Sequence, residues 1–146
     1  MKINFYIAIF FLVINFSSLK AENVISLKKY LEKKNIEEGS TQIYLLGRCS
    51  AVYVYASAVI LKIDSENSKK FIEIANNLLF KSIELRVIDN KGKLESATKK
   101  AERERENLFK NYSAEGKKNW DKNQSFFKGS YIAEDMAICS KLVEDK

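Results

Sequence analysis

Histidine and proline are both absent from the 146 residues, which include only five glycines and two cysteines. Without histidine the chain lacks the commonest general acid–base group and metal ligand near neutral pH. Domains built from β-strands spend many prolines and glycines on turns, so scarcity of both argues against an all-β fold and for helices. No Gly-rich dinucleotide fingerprint, P-loop or nucleophile elbow occurs. Cys49 and Cys139 are too far apart for a CxxC redox motif, and two thiols without histidine make a poor zinc site. No cofactor, metal or catalytic residue is therefore expected. Carboxylate pairs can hydrolyse glycosides without histidine, and Asp64 with Glu66, or Glu134 with Asp135, are the candidates; among 19 acidic residues such pairs arise by chance.

The N-terminus is apolar in a particular order. Met1 and Lys2 precede an almost unbroken apolar run from Ile3 to Phe16, followed by Ser17, Ser18, Leu19, Lys20, Ala21 and Glu22. A positive start, an apolar middle and a small residue at the cut are the parts of a secretory signal. The expectation is a cleavable signal peptide over residues 1–21, cut after Ala21, with the mature protein in the periplasm or secreted. The alternative is an uncleaved anchor: Ile3 to Leu19 sits at the short limit for spanning a hydrocarbon layer of roughly 30 Å. In the cleaved protein the membrane would be met only through the leader.

Residues 22–146 then form one domain, long enough for one core. With Lys2 and Lys20 gone, 23 basic residues face 19 acidic ones, a net charge of +4 with the signs interspersed. That balance favours solubility, and no nucleic-acid partner is expected.

Helical periodicity divides the domain. A short amphipathic segment covers Ser26 to Lys34, and a turn at Glu37 to Ser40 leads to a cap at Ser40 or Thr41. From Thr41 to Ile63 the apolar residues Leu45, Cys49, Val52, Tyr53, Ala56, Ile60 and Ile63 share one face, and Arg48 is the only charge up to Leu61. A helix apolar all round is the central helix of a bundle or a membrane span. Arg48, Ser50, Ser57 and three tyrosines favour the bundle. A third helix is expected over Glu66 to Ile88, stopped at Asp89–Gly92 by glycine in the left-handed conformation. A fourth runs over Ser96 to Tyr112, with Glu95–Lys99 and Glu106–Lys110 as i,i+4 pairs. Ser113 to Ser130 reads as looser chain with room for some helix, its Trp120, Phe126 and Phe127 plugging the end of the bundle. A last helix begins near Ser130 and lines up Ile132, Met136, Cys139 and Val143.

Both cysteines thus face inward in an exported chain, so a Cys49–Cys139 disulfide is expected. Arg48 precedes Cys49, and Asp135 lies one turn before Cys139. An unpaired buried cation is costly, so Arg48 and Asp135 are expected to form a buried ion pair fixing helix register, or else the charged lining of a small pocket.

The segment Gly47-Arg48-Cys49-Ser50-Ala51-Val52-Tyr53, with Gly129-Ser130-Tyr131 and the span from Asp135 to Cys139, resembles a family of small exported helical proteins of marine bacteria. That resemblance implies a helical fold and a disulfide, and no activity. At the level of architecture alone the chain is also similar to periplasmic acid-stress chaperones.

The expectation is an all-α bundle of about four main helices plus a short N-terminal one, with one disulfide. The function that fits is non-catalytic: binding or interaction in the cell envelope, with another protein or a small apolar molecule as ligand. The rivals are a stress chaperone exposing apolar helix faces, a small carboxylate hydrolase, and a membrane subunit spanning with Thr41–Ile63.

Overall fold

A computed structural model describes residues 24–144; the leader expected over 1–21 lies outside them. Those residues form five helices and, among them, no strand: α1 (Leu27–Leu31), α2 (Gly39–Ile60), α3 (Ser65–Asn90), α4 (Leu94–Asn123) and α5 (Tyr131–Glu144). The chain is the expected all-α bundle, with four long helices and a short leading one.

Helix α2 is the axis, touching all four others, and it packs most extensively against α3. Four serines stitch these two together. Ser50 Oγ donates to the Ala75 carbonyl (2.7 Å), Ser57 and Ser68 share a hydrogen bond (2.8 Å), and Ser82 Oγ donates to the Ile43 carbonyl (3.3 Å). Small hydroxylated residues let the two backbones approach while each of these four hydroxyls is hydrogen-bonded. The core around them holds Leu45, Val52, Tyr53, Leu78, Tyr112 and Ile132. Each large apolar side chain buried there contributes about 1.5–3 kcal/mol. By length and composition α2 could cross a membrane (mean hydropathy 1.5 over its most apolar stretch), but 61% of that stretch is buried inside the protein.

Several boundaries differ from expectation. Helix α2 starts at Gly39, so Ser40 and Thr41 lie within its first turn, and Glu38 occupies the cap without a side-chain hydrogen bond. The Asp89 carboxyl lies against Gly39, where a Cβ would overlap it. A negative charge there complements the positive end of the helix dipole. At the other end α2 stops at Ile60, leaving Ile63 88% exposed rather than on the core face. Asp64 then caps α3, accepting from the Asn67 amide (3.0 Å). Helix α3 is closed by Lys91, not Gly92, in the left-handed conformation (φ 46°), with the amides of both residues bonded to the Val87 carbonyl.

The largest departure is α4, which continues 11 residues past Tyr112 to Asn123. Gly116 looks like a breaker, yet it is where the Tyr55 ring crosses α4: a Cβ would overlap the Tyr55 hydroxyl. Asn119, buried, donates to the carbonyls of Ser125 (2.7 Å) and Lys128 (3.0 Å) and so folds the following loop back onto the helix. Packing here outweighs weak helix propensity. Phe126 and Phe127 pack against the core as expected, whereas Trp120 stacks on Phe126 (4.6 Å between centroids) and stays 41% exposed. Gly129 turns the chain at φ 91°, and Ser130 Oγ accepts from the Ile132 amide at the start of α5.

Gly47 has no such requirement. It lies inside α2, where glycine costs about 1 kcal/mol relative to alanine. Apart from its chain neighbours and its own helix backbone, a Cβ would meet only Ser82 Oγ, at 4.0 Å.

Candidate functional site

Two adjacent residues of α2, Arg48 and Cys49, meet two residues one turn apart on α5, Asp135 and Cys139. The disulfide joins Cys49 to Cys139 across a Cα separation of 5.3 Å. Beside it Arg48 Nη2 donates to Asp135 Oδ2 (2.5 Å) and Nε to the same oxygen (2.9 Å), with both side chains 0% exposed.

Three further groups complete the cluster. Tyr112 of α4 accepts from Arg48 Nε (2.8 Å) and donates to Asp135 Oδ2 (2.6 Å). Tyr44, one turn before Arg48, accepts from its Nη1 (2.9 Å). The Leu27 backbone amide, first of α1, donates to Asp135 Oδ1 (2.6 Å). The guanidinium also lies 5.5 Å from the Tyr112 ring centroid and 5.6 Å from that of Tyr131, within cation–π range. Asp135 therefore ties α1, α2, α4 and α5 to one carboxylate.

Burial alone would pull the Arg48 pKa down, but the oxygens of Tyr112, Asp135 and Tyr44 together push it above its ordinary value, so the group stays charged. Burial pushes the Tyr112 hydroxyl well above 10, with Asp135 adding to that and Arg48 opposing it. Burial likewise raises Tyr131 and Tyr55 to about 12. Its centre, Arg48, Asp135 and Tyr112, is charge-balanced and closed to solvent, so what it can do chemically is hold helices in register. Of the two readings of Arg48 and Asp135, the geometry is that of a buried ion pair, not a pocket lining.

A pH dependence follows. A tyrosine whose folded pKa is raised stabilises the fold fully below its unfolded pKa of about 10, and that contribution is lost as pH rises through the folded value. Stability should hold from pH 7 to about 9 and fall steeply above about pH 11. Absorbance at 295 nm followed beside far-ultraviolet circular dichroism checks this. A late tyrosinate step coincident with loss of helix is expected; ionisation of every tyrosine near pH 10 with helix intact would contradict the buried hydroxyl network.

The candidate carboxylate pairs are not assembled into a site. Asp64 caps α3, which lowers its pKa through hydrogen bonds from Asn67. Glu66 pairs with Lys70 (2.8 Å), Asp135 is committed to Arg48, and Glu134 is exposed. The i,i+4 pairs Glu95–Lys99 (2.7 Å) and Glu106–Lys110 (2.6 Å) form as expected on α4.

Two of the hollows beside α4 are of similar size. On one side Val54 and Ala58 of α2, with Leu61 just past its end, Ile72 of α3 and Phe109 of α4 line a groove of about 640 Å³. On the other, Glu104, Asn107, Leu108 and Asn111 of α4 face Ile43 and Gly47 of α2 and Arg86 of α3 around a pocket of about 660 Å³. Sequence periodicity missed both. Phe109 packs against the core and also lines the groove, where Ile72 of α3 joins it. Tyr44 and Tyr131 as partners of Arg48 carried a weak signal, each lying four residues before a member of the ion pair. No protein-family model, curated protein or solved structure matches the chain.

Proposed function

We propose that the protein is exported and serves as a non-catalytic binding or interaction protein of the cell envelope, in the periplasm or outside the cell. The observation that carries this reading is the apolar groove of Val54, Ala58, Leu61, Ile72 and Phe109, held open on a bundle locked by a disulfide. Exposed apolar surface rimmed by polar residues is the signature of an interaction site. Lys69 and Glu73 supply the rim here, and the ligand is an apolar molecule or the apolar face of a protein. The Cys49–Cys139 bond suits an oxidising compartment. A chaperone would reveal its apolar surface on a change of conditions, whereas this groove is open while the lock is closed.

The dye 1-anilinonaphthalene-8-sulfonate separates the readings. The native protein should bind it equally at about pH 7 and about pH 5. Ile72→Glu, whose charge also repels the anionic dye, should weaken binding at least fivefold, with little change in melting temperature because the position is exposed. Dye binding that appears only on acidification would favour the chaperone, and none at either pH would remove the groove as a binding surface.

A further inference from the structure

We propose that the pocket on the Gly47 flank of α4 is a second binding site, separate from the apolar groove, and that it takes a short apolar peptide. Gly47 is the starting point. Gly39, Gly116 and Gly129 each answer a demand of the fold, being pressed by Asp89, crossed by Tyr55 and turned to positive φ respectively. Gly47 answers none as tightly: it lines the pocket, and an added Cβ would reach the neighbouring helix only at Ser82 Oγ, at 4.0 Å. Glycine in a helix interior with free space beside it is what close approach of a ligand to the backbone requires.

The other walls specify the ligand. Arg86, nine-tenths buried, is ion-paired with Glu104, which is 41% exposed. The pair is matched in charge, so a ligand with a net charge would unbalance it while one of zero net charge would not. Asn107 and Asn111, one turn apart on α4, each present a carbonyl acceptor and an amide donor, the complement of a peptide group. Ile25 and Leu108 add an apolar wall. Zero net charge, peptide groups and apolar side chains together describe a short apolar peptide in its zwitterionic form.

The test is a titration of the ¹⁵N-labelled, disulfide-bonded protein with trileucine, and separately with decanoate, followed by NMR. Trileucine should shift the Gly47 backbone amide and the side-chain amides of Asn107 and Asn111 in a saturable way. Gly47→Leu, which fills the floor, should weaken binding at least tenfold, or about 1.4 kcal/mol, while the melting temperature stays level or rises. Should Gly47→Leu fail to fold, the double variant Asn107→Ala, Asn111→Ala at surface positions should show the same loss. Three results would overturn the proposal: no trileucine shifts up to about 10 mM, shifts confined to the groove of Ile72 and Phe109, or unchanged binding in a folded variant. Binding of decanoate in place of trileucine would exclude peptide chemistry at this pocket.

Discussion

Replacing Asp135 with alanine is expected to destabilise the protein by about 3–5 kcal/mol, the range for stranding one member of a buried ion pair. The carboxylate accepts from the Leu27 amide, Arg48 Nε and Nη2, and the Tyr112 hydroxyl. Its removal leaves a buried cation without its counter-ion and frees α1 from its anchor. The melting temperature should fall by on the order of 10–20 °C. Arg48→Met should be milder. It replaces the cation with an apolar side chain of similar length, and Asp135 keeps its bonds from Leu27 and Tyr112. Both variants halve the pair, but the carboxylate left by Arg48→Met keeps two donors, whereas the guanidinium left by Asp135→Ala keeps only two phenol oxygens and no counter-ion. Equal and negligible shifts for the two variants in thermal melts would show that the pair contributes nothing to the fold.

Loss of the disulfide is expected to cost a similar amount by a different route. The bond joins residues 90 positions apart, and closing so long a loop in the unfolded chain is worth about 4–5 kcal/mol in the chain-entropy model. Cys49→Ala and Cys139→Ala should therefore lose equal stability in urea melts, since either removes the same link. A marked inequality would mean that one sulfur matters through packing rather than through the bond. Cys139 and Asp135 are one turn apart on α5, and both attach that helix to α2. The double variant Cys139→Ala, Asp135→Ala should depart from additivity, because neighbours serving one attachment are coupled.

The parts of this fold legible in the sequence were those set by burial. A 22-residue helix containing one charge, Arg48, implies that the charge is paired, and periodicity placed Asp135 and both cysteines on inward faces. What remained illegible was set by contacts between distant segments. The extension of α4 depends on Tyr55 crossing at Gly116 and on Asn119 reaching Ser125 and Lys128; locally, those residues look like the end of a helix. The start of α2 is supported by Asp89, fifty residues away, not by a serine or threonine cap. Ile63 kept the correct period but fell beyond the end of the packed neighbours, so its face meets water. Tyr112 was legible as an apolar position on the fourth helix, but not as the hydroxyl that bridges Arg48 and Asp135. The groove and the pocket were hidden for the same reason, since helix spacing says which residues share a face and not where two helices part.

The central claim is that the bundle is locked where α2 meets α5, with Cys49 bonded to Cys139 beside Arg48 and Asp135. Thiol titration of the protein recovered from outside the cytoplasm, denatured but not reduced, tests it most directly. The account predicts no reactive sulfhydryl before reductant is added and two per chain afterwards. Two reactive sulfhydryls in the unreduced sample would contradict the bond, and with it the anchoring of α5 against α2.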